Sequence, residues 1–189
     1  MPSIQEFPFG AFVVEAAFAG EAAFFALGDG TVRVASGPAA SSVAVHDGAI
    51  LSAVAAGDGL LTGGDDGRVA LTDTAGTVTE IARRKGKWID HVAAGPGGTL
   101  AYAVGRQAVV RNGDGSERTF DHERAVGGLA FAPKGLRLAV ARYDGASLWW
   151  AGTDAPATVL AWKGAHLGVL FSPDGKYVVT TMQENALHG

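Results

Sequence analysis

Two lines of turns recur along this chain at intervals of about forty residues, and that period constrains the fold more than any other feature. One line is Gly20, Gly59, Gly98, Gly135 and Gly175, spaced 39, 39, 37 and 40. The other is an acidic-Gly turn or its variant: Asp29-Gly30, Asp66-Gly67, Arg106-Gln107, Asp144-Gly145 and Glu184-Asn185, spaced 37, 40, 38 and 40. Two independent anchor lines sharing one period mark a repeat. The 28 glycines among 189 residues, about twice the usual share, are largely accounted for by such turns.

Between the anchors the pattern is that of short strands. Phe12-Val13-Val14, Ile50 to Val54, Leu129 to Phe131 and Leu167 to Phe171 are apolar runs, each followed by a Gly-containing turn and a second run such as Leu136 to Ala141 or Tyr177 to Thr181. The acidic-Gly turn leads to a third run, as in Thr31 to Ala35 and Arg68 to Thr72. A looser fourth closes the unit at Ser42 to Val45, Val78 to Ala82, Arg118 to Phe120 and Thr158 to Trp162. Four antiparallel strands in about 40 residues make one blade of a β-propeller. The expected class is therefore all-β: one incomplete propeller over residues 1–189, with blades at approximately 11–46, 49–82, 88–121, 125–162 and 165–189, the last partial.

Leu129-Ala130-Phe131-Ala132-Pro133-Lys134-Gly135 and Val169-Leu170-Phe171-Ser172-Pro173-Asp174-Gly175 resemble the first strand and turn of the WD40 family, and Asp144 to Trp150 resembles its turn and tryptophan-bearing third strand. The resemblance runs along essentially the whole chain with degenerate repeats. It implies a buried hydrogen-bonded set in each blade, made of a loop His, a Ser or Thr, the turn Asp and the Trp. The second blade offers His46, Thr62 and Asp66, with Thr72 where the Trp would stand. The fourth offers His122, Asp144 and Trp150, with Val140 in place of the hydroxyl. In the third, Arg106 replaces Asp; in the fifth, Glu184 stands for Asp and Trp162 for His. A Thr-His-Asp trio also has the composition of a nucleophilic triad. A catalytic group is needed once and a structural staple once per blade, so the repetition favours structure, and no catalytic residue is assigned.

Other chemistry is sparse. Zero cysteines exclude disulfides and thiolate metal sites. The five histidines have no pair at ligand spacing, so no metal and no cofactor is expected. A ligand or metal at the central channel through His91 or His166, possibly hydrolytic in use, is the alternative reading. P-loop, dinucleotide and nucleophile-elbow motifs are missing. The longest uncharged stretch, His91 to Gly105, is 15 residues and broken by Gly95-Pro96-Gly97-Gly98, too short to cross a bilayer. A cytoplasmic location without membrane contact is the expectation.

Net charge is −4, which argues against nucleic acid as a general partner. The distribution is uneven: residues 1–80 carry ten acidic and two basic residues, residues 81–189 nine and thirteen. The densest basic run, Arg83-Arg84-Lys85-Gly86-Lys87-Trp88, lies in the loop between the second and third blades and gives a second alternative, nucleic-acid binding. By analogy with the family, Asp65, Arg84, Lys85, Lys87, Trp88, Asp90, Tyr143 and Gln183 face a loop-bearing surface suited to a protein partner. Trp149 and Trp150, adjacent in a strand, point to opposite sides, and both are expected to pack between blades.

About four and a half blades are present. The expectation is a fragment of a seven-bladed propeller. Two alternatives stay open: five-bladed closure with Ser3 to Phe7 as the missing outer strand, and self-association through open blade edges. The expected function is a non-catalytic protein-interaction scaffold.

Overall fold

In a computed structural model, which describes residues 4, 6–37 and 39–183, every regular element is a β-strand apart from one single-turn 3-10 segment, Pro96–Gly98. The Glu184-Asn185 turn and Leu187-His188-Gly189 lie outside the described residues. The strands form four antiparallel four-stranded sheets whose strand order follows the chain, as hairpin-joined strands require. The chain divides into two compact units, Met1–Ile89 and Asp90–Gly189.

The first unit holds β1 (Val13–Ala19), β2 (Ala22–Leu27), β3 (Thr31–Ala35) and β4 (Ala40–Ala44) in one sheet. The other holds β5 (Ile50–Ala56), β6 (Gly59–Gly64), β7 (Arg68–Asp73) and β8 (Val78–Arg83). Period-two alternation is visible in β3, where Val32 and Val34 are buried and Thr31 and Arg33 are half-buried. β6 is buried along its whole length, as a strand covered on both faces must be. Phe24, Val32, Val34, Val45, Ile50, Leu60 and Ala70 join the two sheets into one core. Burying each large side chain contributes about 1.5–3 kcal/mol. Of the Ser3 to Phe7 segment, Ile4, Glu6 and Phe7 are described and are not in a strand; the Phe7 ring packs near Phe9 and Phe25.

The second unit holds β9 (Val92–Ala94), β10 (Leu100–Val104), β11 (Gln107–Arg111) and β12 (Glu117–Asp121) in one sheet. The other comprises β13 (Val126–Phe131), β14 (Arg137–Trp150), β15 (Thr158–Phe171) and β16 (Val178–Gln183). Here the separate runs expected around Asp144-Gly145 are one 14-residue element. β14 is nevertheless a folded-back hairpin. Ala151 donates its N–H to the Leu136 carbonyl at 2.8 Å, whereas fifteen extended residues would span about 50 Å. The reversal is made at Asp144 (φ 62) and Gly145 (φ 129). β15 likewise fuses two expected runs: its first half pairs with β14 and its second half with β16.

A backbone bond recurs where each turn between second and third strands meets the connection leaving the fourth. Gly30 accepts from the Val45 and His46 N–H groups at 3.1 Å, Gly67 from Arg84 at 2.8 Å and Arg106 from His122 at 3.0 Å. In the fourth repeat the Asp144 carboxylate substitutes, accepting from Gly164 at 3.2 Å. Gly67 holds φ +79, and a Cβ there would overlap the Arg84 carbonyl. Gly57 has a similar φ (+57) in open space. Gly57→Ala should therefore cost only the left-handed strain, about 1–2 kcal/mol. Gly67→Ala should cost clearly more in denaturant unfolding, because the turn must also part from the Arg84 connection.

Candidate functional site

The second repeat builds one closed polar network. His46 lies just beyond β4, Thr62 in β6 and Asp66 in the turn before β7. His46 Nδ1 is 2.9 Å from Asp66 Oδ1, and Nε2 is 2.9 Å from Thr62 Oγ1. The Thr62 hydroxyl also lies 3.3 Å from the Ala70 carbonyl. In the tautomer that carries its proton on Nδ1, the ring donates to the Asp66 carboxylate and Nε2 accepts from the Thr62 hydroxyl. Asp66 also accepts from the Asp47 and Arg68 N–H groups, each at 3.0 Å. Burial pushes its carboxyl upward, but the His46 bond and the two amides outweigh it and hold the acid below 3.8. The side chains of His46 and Asp66 are 0% and 8% exposed and Thr62 is 0% exposed, so the Thr62 hydroxyl cannot meet a substrate. Gly64 forms the seat: a Cβ there would overlap His46 Nδ1. Thr72 is fully buried and its hydroxyl has no partner.

The fourth repeat assembles differently. Trp149, rather than Trp150, donates Nε1–H to His122 Nε2 at 3.3 Å and packs on Phe120 at a 4.7 Å ring separation. Burial keeps the His122 imidazole below its ordinary value, against weaker upward pulls from the Arg106 and Phe120 backbones, so a ring nitrogen is open to accept. Trp150 is 48% exposed under the Arg137 guanidinium. Asp144 turns to Gly164 instead of His122. Further along, Trp162 is exposed and contributes only its carbonyl, which accepts from His166 Nε2 at 2.9 Å; Nδ1 of that ring meets Thr180 Oγ1 at 2.9 Å. Tyr102, fully buried at the position forty residues after Thr62, donates to Glu117 at 2.9 Å.

The surface residues expected from the sequence fall in loops of both units. In the first, Asp65 is half-buried and its N–H donates to Ala49 O at 3.1 Å. Arg84 is half-buried, whereas Lys85 and Lys87 are exposed and Trp88 is 65% exposed. Arg83 is bound to Glu80 at 3.0 Å. In the second unit Asp90 and Tyr143 are half-buried and Gln183 is exposed. Tyr143 and Gln183 flank Ala165 on one rung of the sheet. His91, Arg124, Val126, Tyr143, His166 and Leu167 line a cleft of about 670 Å³. Burial holds His91 below its ordinary value, against weaker upward pulls from Asp90 and the Val126 carbonyl. Among the described residues no three His, Asp or Glu side chains form a metal-holding group, and no helix is long and apolar enough to cross a membrane.

No protein-family model matches the sequence, and no curated protein matches it. Solved structures do. The crystal structure of the WD40 beta propeller domain of Doa1 superposes with a TM-score of 0.74 at 14% identity, covering 90% of this chain. The fold is that of a WD40 β-propeller. The chain spans 60% of the length of that matched structure. In all, 812 solved chains match, and a shared fold does not assign an activity.

The His46 network is a buried set of linked hydrogen bonds within the second repeat. His46→Ala should lower unfolding free energy by about 2–3 kcal/mol, since it strands two buried partners. Asp66 also sets an acid limit. Its folded pKa lies below 3.8, so its contribution is complete above the unfolded value and is lost as pH falls through the folded one. Denaturant midpoints measured from pH 6 to pH 2 should fall more steeply below about pH 4 in the wild type than in Asp66→Asn, which starts lower and flatter.

Proposed function

We propose that the chain is a non-catalytic scaffold whose loop-bearing blade ends bind a protein partner. The observation that carries this is Trp88, an exposed aromatic on a loop whose backbone is pinned. Arg84 N–H is held by Gly67 O at 2.8 Å, Lys87 N–H by Arg84 O at 3.0 Å and Ile89 N–H by Gly64 O at 3.1 Å. The Trp88 ring stays 65% exposed while the neighbouring Ile89 is 0% exposed. A large apolar ring presented on an ordered loop loses little conformational freedom on binding, and Trp is a favoured anchor type in interfaces.

The loop's charge fits an acidic partner surface better than a nucleic acid. Arg83 is already bound to Glu80, which also pairs with Arg68 at 3.1 Å, and that removes one of the run's four cations from phosphate contact. Sealing of the Thr62 hydroxyl supports the non-catalytic part of the reading. For a metal at His91 and His166, both nitrogens of His166 are already bonded within the protein.

The test is capture of partner proteins from the native cell extract on immobilised full chain, with wild type and Trp88→Ala in parallel. Trp88→Ala should retain the wild-type unfolding midpoint and weaken capture at least tenfold. Capture that is equal on both proteins would place the interface elsewhere and remove this reading of the loop.

A further inference from the structure

The cleft in the second unit has a chemistry of its own, independent of the Trp88 loop. It is assembled where β9, β13 and the second half of β15 begin, with Tyr143 from the reversal of β14. Arg124 is exposed, and among the described residues it makes no ion pair and no carboxylate lines the cleft. The other polar walls are His91, Tyr143 and His166. Burial favours the uncharged form of His91, and His166, 4% exposed, has both nitrogens engaged with Thr180 and Trp162. His166 is thus fixed as wall, not as ligand. Val126, Leu167, Ala125 and Ala165 supply apolar surface beside these groups.

We infer that this cleft binds a carboxylate-bearing group, with Arg124 as its cation and the apolar walls holding the atoms that carry the acid. An uncompensated guanidinium at the mouth of a concave, largely apolar site recognises a planar anion through paired N–H donors. A volume of about 670 Å³ lies in the range that holds several side chains or one small molecule. His91 adds a neutral imidazole, able to donate one bond and accept another. The Arg124 side chain is exposed and outside the buried core, so its replacement leaves the sheet intact.

The experiment uses the full chain, isotope-labelled, with amide shifts followed by NMR. Three probes are titrated to 10 mM: a blocked leucine–glutamate–leucine tripeptide, its glutamine counterpart, and glutarate. The glutamate tripeptide should shift amides at 124–127 and 165–167, and the glutamine tripeptide should bind at least tenfold more weakly. Arg124→Gln should lose that preference without changing the spectrum of the first unit, and Arg124→Lys should keep part of it. Glutarate binding as tightly as the tripeptide identifies a free small acid as the ligand; weaker binding identifies an acidic side chain. Equal binding of the two tripeptides, retention of the preference in Arg124→Gln, or no shift at 10 mM overturns the inference. Because Trp88 lies outside the cleft, Trp88→Ala should leave these titrations unchanged. The cleft and the interaction loop therefore stand or fall separately.

Discussion

The bond between each inner turn and the connection that follows the outer strand is the constraint on which the rest of each repeat depends. A four-stranded antiparallel sheet has two hairpin ends, and nothing in strand pairing ties the turn between its second and third strands to the chain leaving its fourth. The carbonyls of Gly30, Gly67 and Arg106 make that tie by accepting the amide that leaves the outer strand. Once it is made, the departing chain starts from a fixed place. The fourth repeat reaches the same end with a side chain, Asp144 holding Gly164. Backbone groups at such a junction would otherwise be partly buried without partners.

Side-chain networks are built on this frame and vary freely. The second repeat adds His46, Thr62 and Asp66; the third has Tyr102 bonded to Glu117; the fourth has Trp149 bonded to His122. Each closes a buried polar group in its own way, and none is needed for the turn-to-connection bond itself. The loops beyond the frame carry the groups proposed for recognition: Trp88 in the first unit and, in the second, Arg124, which has no ion pair with any described residue.

The period was legible because turns need particular backbone geometry, and glycine records that need in the sequence. Gly30 and Gly67 have φ of 84 and 79 at the positions the spacing marks, and the propeller class follows from them. The His46 set was legible because its three residue types have matched hydrogen-bonding roles. The choice between Trp149 and Trp150 was not legible. Two adjacent tryptophans in a strand have the same composition on either face, and only the packing of Phe120 decides which one turns inward. Arg124 was missed for a related reason: one arginine in a loop has no signature until the fold gathers Tyr143, His91 and Leu167 around it. The reversal within β14 was legible in Asp144 and Gly145, whereas the join within β15, near Gly164, carries no acidic-Gly signal.

Gly64 ties the fate of two positions together. Its bare backbone is what His46 rests against, so neither residue can be exchanged by itself without leaving a hole or a collision. The position at the matching offset in the fourth repeat is Arg142, as Asp144 matches Asp66. There the seat is filled, and His122 engages Trp149 instead. Forty residues on from Gly64 stands Val104, and the residue bonded to the preceding turn as His46 is bonded to Gly30 is Arg84: the third repeat has neither residue of the fit. A repeat without the glycine can keep its histidine, as the fourth does, but that histidine then takes a different partner.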